Sequence, residues 1–250
     1  MNQNPLTLFA PDSRVTFPKI PWGWRDLFFG ILLTALGILA LNIAAIALTL
    51  FYQVDLLNNG TALAIFVVIQ DVMIVLAALS FSALRYRVGI DRLGLRAFDP
   101  AQGCLLSGAL LALSFASRIC YATVMLALGV QLQPQQILNE LDATGAAFFL
   151  TFFSAAILAP VAEEIFFRGF LYGGLRPKFG ALGAMLVSSI FFTALHFSID
   201  AFIPILVLGL CLAWLYERTG SLYPGILLHF ANNALAVLML ALIQTLGIKM

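Results

Sequence analysis

Long apolar runs, separated by short polar or proline- and glycine-marked breaks, dominate the 250-residue chain. A bilayer-spanning helix needs about 20 mostly apolar residues. Seven segments meet this length at least loosely: Leu27–Phe51, Thr61–Phe81, Cys104–Val130, Ala146–Tyr172, Ala181–Ser198, Phe202–Tyr216 and Pro224–Leu246. The pattern predicts an all-α, polytopic membrane bundle of about seven spans, with an eighth, partial span as the alternative. The sixth segment is the shortest and is expected to cross with little tilt or to stop short. Ahead of the bundle, residues 1–26 form a polar, proline-containing N-terminal tail, read as carrying an interfacial Trp22/Trp24 anchor and no cleavable signal peptide. Residues 27–250 read as a single transmembrane domain.

Composition agrees: 62% of residues are hydrophobic, only 10% are charged, and mean hydropathy is +1.01. Soluble domains are closer to half apolar and a quarter charged. The net charge of +1 gives no footing for nucleic acid. Cys104, Cys120 and Cys211 stand in apolar segments without paired spacing, which makes them small packing residues and not a disulfide frame. Basic residues set the expected orientation. Arg14, Lys19 and Arg25 precede the first span, Arg85, Arg87, Arg92 and Arg96 follow the second, Arg168, Arg176 and Lys178 end or follow the fourth, and Arg218 follows the sixth. The alternate loops lack Lys and Arg and carry Asp55, Glu140, Asp142 and Asp200, so the N-terminus is expected in the cytoplasm, with Lys249 the one misfit. The arginines of "LRYRVGIDRLGLRAFDP" are expected to lie in the headgroup layer and reach toward phosphates.

Ionisable groups inside a bilayer cost on the order of 2.5–3.5 kcal/mol each and face a partner or a wet cavity. Asp71 and Arg118 lie at similar depth in the second and third spans and are expected to form a buried ion pair. Glu164 and Arg168 are four apart and share a helix face. Glu163 is rotated from Glu164 by about 100° and is left without that arginine. The chain has only two histidines, His196 and His229, both in apolar segments, and Asn233 lies one turn beyond His229. A carboxylate in such surroundings can take a proton from water and return it to a leaving amine. Imidazole and amide N–H groups can hold the oxyanion of a tetrahedral intermediate. Two histidines and a glutamate are equally a ligand set for catalytic zinc, and spacing alone leaves both readings open.

These residues resemble the CPBP family, the CAAX-protease and bacteriocin-processing proteins, also called the Abi or type II CAAX endopeptidase family. Its E-E-x-x-x-R motif reads here as Glu163, Glu164 and Arg168, its F-x-x-x-H motif as Phe192 and His196, and its H-x-x-x-N motif as His229 and Asn233. The resemblance covers about residues 145–245. It implies a helical bundle with an intramembrane catalytic cavity, in which Glu163 activates water with help from His196. His229 and Asn233 would form the oxyanion hole, with Glu164, Arg168 and Phe192 in support. It further implies an intramembrane endopeptidase, CAAX prenyl protease-like, acting on a peptide or protein that is membrane-anchored or lipidated in some members. Members are often called metalloproteases. The glutamate mechanism, without a cofactor, is favoured here because asparagine is a poor zinc ligand, with zinc on Glu163, His196 and His229 as the alternative. A prokaryotic cell membrane is the expected setting. A membrane transporter and a non-catalytic scaffold that keeps the site are the competing functions. One geometric difficulty follows from the spans: a fully crossing sixth helix would set His196 and His229 toward opposite faces.

Overall fold

The computed structural model describes residues 17, 19–52, 59–130 and 145–246. Asp55, Glu140, Asp142, Arg14, Lys249 and most of the tail fall outside the described residues. Helices α1 (Trp24–Tyr52), α2 (Gly60–Leu79) and α3 (Pro100–Ala127) come first, with a π-helical turn, Ser80–Leu84, ending α2 and a short 3₁₀ turn, Ile90–Leu93, before α3. Then follow α4 (Gly145–Phe152), a π segment Phe153–Leu158, α5 (Ala159–Glu164), a second π segment Ile165–Tyr172, α6 (Gly173–Ala194), α7 (Phe202–Thr219) and α8 (Leu222–Thr245). Among the described residues there is no strand.

Six helices are long and apolar enough to cross a membrane, and the fourth, Phe148–Ala194, runs for 47 residues. At about 1.5 Å per residue that run is more than twice the thickness of a hydrocarbon core of about 30 Å. It breaks at Gly180, whose backbone (φ 68°, ψ 178°) a side chain would strain, three residues after Pro177. The fourth and fifth spans expected from sequence are thus the two arms of one nearly continuous helix. Helix α7 has 18 residues, about 27 Å of helix, barely a crossing. The large apolar residues of α1, such as Phe28, Leu36, Leu39 and Ile43, are exposed and suit contact with lipid. The deepest packing surrounds the second π segment, all eight residues of which are buried.

Proline explains part of that geometry. Pro160 lies in the first turn of α5 and has no N–H to give back along the helix. The chain immediately before it takes wider π turns, a form that often marks functional positions. Helix α2 packs on α1 and on the α4–α5 stretch, whereas α3 packs on α7 and α8. Asp71 and Arg118 therefore do not form the expected pair. Helices α2 and α3, though consecutive, do not pack on each other, and each residue faces a different part of the bundle.

Polar contacts tie down the end of the bundle where α6, α7 and the start of α8 meet. Arg176 binds Glu217 through Nε and Nη2, both at 2.8 Å, and Tyr172 donates its hydroxyl to the same carboxylate. Arg96 donates to the Gly220 carbonyl at 2.5 Å, and Ser221 donates to the Arg96 carbonyl at 2.7 Å while capping α8. The basic stretch thus spends much of its hydrogen bonding on the protein: Arg85 pairs with Asp26 at 3.2 Å and Arg92 donates to the Lys19 carbonyl at 2.9 Å. Tyr86 gives its proton to Asp26, at 2.7 Å, which holds the phenol above its ordinary pKa. Trp22, expected at the interface, is buried and donates to the Phe170 carbonyl at 3.1 Å, while Trp24 is exposed.

Gly169 lets the 3₁₀ turn close on the second π segment: a Cβ there would stand 2.7 Å from the Leu93 carbonyl oxygen. Backbone cannot swing aside as a side chain can. Gly169→Ala is expected to lower stability by about 1–3 kcal/mol through overpacking. A thermal scan of the detergent-solubilised protein checks this, and an unchanged melting temperature would rule the close approach out as a constraint.

Candidate active site

The α5 turn carries Glu163 and Glu164 into the bundle, and the following π segment carries Arg168. Glu164 and Arg168 are fully buried and pair at 2.8 Å, Nη1 to Oε1, as their spacing predicts. Arg168 also donates Nη2 to the Gly209 carbonyl of α7 at 3.0 Å, and its guanidinium lies 4.6 Å from the centre of the Phe192 ring. One arginine therefore joins the α5 segment to α6 and α7.

His229, eight residues beyond the Ser221 cap of α8, enters the same place from the other side and is 1% exposed. Its Nδ1 lies 3.2 Å from Glu164 Oε1 and its Nε2 lies 3.6 Å from Glu163 Oε2. A carboxylate only accepts, so the shorter contact assigns the proton on Nδ1 to a bond with Glu164. Nε2 is then the ring atom open toward Glu163. Glu163 Oε2 and Glu164 Oε2 are both buried without a hydrogen-bond partner. Gly225 leaves space for the second: a Cβ on it would come within 3.1 Å of Glu164 Oε2.

Phe192 is the hub of the remaining contacts. Its fully buried ring lies 4.7 Å from that of His196 and 5.7 Å from that of His229, on centroids. His196 follows the end of α6 in a turn and donates Nδ1 to the Phe192 carbonyl at 2.8 Å. The short α7 and the folding-back of His196 thus bring both histidines to one phenyl ring. The imidazole within 4 Å of Glu163 is that of His229, at 3.6 Å, whereas His196 packs on the Phe192 ring. Asn233 donates its amide to the Ala155 carbonyl, in the first π segment, at 2.9 Å, and accepts from Asn232 at 3.0 Å.

Two charged residues that the sequence flagged take new places. Asp71 is 3% exposed, has Oδ2 buried without a hydrogen-bond partner, and lies on α2, which packs against the α5 turn that carries Glu163. It is a third acid of the site region. Its intramembrane charge was the signal for it, and only its partner was misassigned. Arg118 donates to Asn232 Oδ1 at 3.3 Å, another link that spacing along one helix could not show.

Zinc on Glu163, His196 and His229 does not fit this arrangement. His229 turns Nδ1 to Glu164, and no three His, Cys, Asp or Glu side chains among the described residues are grouped to hold a metal. A cavity of about 410 Å³ lies between α1 and the second π segment with α6, lined by apolar residues including Leu27, Ile31, Leu171 and Val187. It does not include the polar cluster.

Residues 145–235 match the family model described as type II CAAX prenyl endopeptidase Rce1-like. The chain is 30% identical over 105 residues to "Putative membrane peptidase YdiL" of Bacillus subtilis (strain 168), a match covering 42% of this chain and 41% of that protein. It is 27% identical over 78 residues to "UPF0177 protein YxdF" of Lactococcus lactis subsp. lactis (strain IL1403), covering 31% of this chain and 42% of the relative. The chain thus spans less than half the length of either curated relative. No solved structure matches. The matched region holds all three motifs, Glu163–Glu164–Arg168, Phe192–His196 and His229–Asn233.

Proposed function

We propose that this protein is an intramembrane endopeptidase that hydrolyses a peptide bond with water activated by Glu163. The observation that carries the reading is the meeting of Glu163, Glu164 and His229 inside an apolar bundle, with His229 Nε2 at 3.6 Å and Nδ1 at 3.2 Å from the two carboxylates. Glu164 is fully buried and paired through Oε1 with Arg168, which leaves Glu163, with a side chain 20% exposed, as the acid open to substrate and water.

In this reading Glu163 takes a proton from water as its oxygen attacks the scissile carbonyl, then gives that proton to the leaving amine. His229, oriented by Glu164, offers Nε2 toward the reacting centre. As the imidazolium, with its second proton taken from solvent before the attack, it donates Nε2–H to the oxyanion, together with Asn233 if its amide leaves the Ala155 carbonyl. No contact of this arrangement supports direct help from His196 to Glu163. Its role is to hold Phe192 and border the site. The substrate is a peptide or a protein segment reaching the bundle interior, and a lipid or membrane anchor on it fits a site at this depth.

The test is cleavage, in liposomes, of a panel of membrane-tethered peptides, read by product mass. Wild type is expected to cut at least one peptide, and His229→Ala to lose about 10²–10³-fold, as for removal of an oxyanion donor. Equal cleavage by both proteins would remove His229 from the chemistry. Flux of an ion or solute without any product would favour a transporter instead.

A further inference from the structure

Arg118 is the only charged side chain of α3 (Pro100–Ala127), and it lies well inside that span. Its sister cations in the bundle are matched: Arg168 with Glu164 and Arg176 with Glu217. Arg118 has no carboxylate within ion-pair distance among the described residues. What it has is one long hydrogen bond, Nη2 to Asn232 Oδ1 at 3.3 Å, and the ring of Phe115 at 5.5 Å. A guanidinium presents five N–H donors in a plane, so most of its capacity is uncommitted. Holding such a group at membrane depth is costly and ordinarily marks a functional position.

Its location says what it is for. Asn232, which accepts from Arg118, donates to Asn233 at 3.0 Å, and Asn233 stands one turn beyond His229 on α8. Arg118 is therefore two hydrogen bonds away from the proposed oxyanion donor, on the side of the site that α3 closes. A planar fork of donors with no internal acid matches a carboxylate bound through two parallel bonds. Headgroup phosphates lie at the membrane surface, away from this depth.

We propose that Arg118 is the anchor for a carboxylate of the substrate peptide, either its C-terminal group or an Asp or Glu side chain near the bond to be cut. This inference rests on the endopeptidase reading of the site. It makes Arg118 a specificity-determining residue whose ligand is an anion, and it gives Asn232 the task of orienting the guanidinium when that anion is absent.

The experiment uses the full chain in liposomes and mixed-sequence decapeptide pools in three forms: free acid, carboxamide, and carboxamide with one fixed internal glutamate. Retention is measured on Glu163→Gln protein, which does not consume the pools, and cleavage on protein with Glu163 intact. The free-acid or the glutamate pool is expected to be retained about 10–100-fold better than the plain carboxamide, the range for hydrogen bonds to a charged group. Which of the two is retained identifies the source of the carboxylate. Adding Arg118→Gln is expected to abolish that preference while leaving carboxamide retention unchanged, and Arg118→Lys to restore part of it. A preference that is absent in the parent protein, or that survives Arg118→Gln, overturns the proposal. So does an equal loss for all pools, which would mark Arg118 as a structural tie between α3 and α8. Cleavage of the pools with no carboxylate preference would sink the anchor alone. Carboxylate-selective retention without any product would sink the peptidase reading and leave the anion site standing.

Discussion

Glu163→Gln is expected to lower peptide cleavage by about 10²–10⁴-fold, the usual contribution of a positioned general base, while the protein keeps its fold. The replacement is nearly isosteric and removes only the charge and the ability to take a proton. Little structure depends on either. Glu163 has no arginine of its own, its Oε2 has no hydrogen-bond partner among the described residues, and its nearest polar contact is His229 at 3.6 Å. The melting temperature is therefore expected to stay level. Paired measurements of turnover and melting on the same preparation decide the matter. Turnover that persists within a few-fold of wild type would pass the role of base to another group, whereas a collapse of melting would mean that Glu163 is chiefly structural.

Part of this site was readable from one dimension. The i, i+4 rule paired Glu164 with Arg168 and isolated Glu163, because both statements concern a single helix. The long apolar runs announced the spans. What could not be read was which helices touch. Asp71 and Arg118 share a depth and have opposite charge, yet α2 packs toward α5 and α3 toward α8. Electrostatic matching by depth fails when consecutive helices are not neighbours. Likewise, His196 was expected to assist Glu163, and the histidine within 4 Å of Glu163 is His229. That choice depends on the turn after α6, where His196 folds back and gives Nδ1 to the Phe192 carbonyl. The π segments on both sides of α5 leave no simple trace in hydrophobic periodicity either, though Pro160 hints at one of them.

The largest loss of stability is expected from Glu164→Ala, about 3–5 kcal/mol, the cost of leaving one member of a buried ion pair alone. Arg168 is fully buried, so its charge cannot turn to water when its partner is removed. The Gly209 carbonyl and the face of Phe192 remain, but neither carries a negative charge. Nδ1 of His229 loses its acceptor in the same step, so activity falls with stability. Two companion variants separate charge from packing. Glu164→Gln keeps an oxygen for both Arg168 and His229 and should lose less than Glu164→Ala. Glu164→Leu combined with Arg168→Met removes both charges, and apolar replacements of a buried pair are often neutral or better. The double variant should therefore melt well above Glu164→Ala while remaining inactive, since His229 is no longer oriented. Thermal scans of the three proteins, read beside cleavage, settle the order. If Glu164→Ala melts like wild type, Arg168 must find another anion or water in the bundle, and the salt bridge is not what holds α5 against α6 and α7.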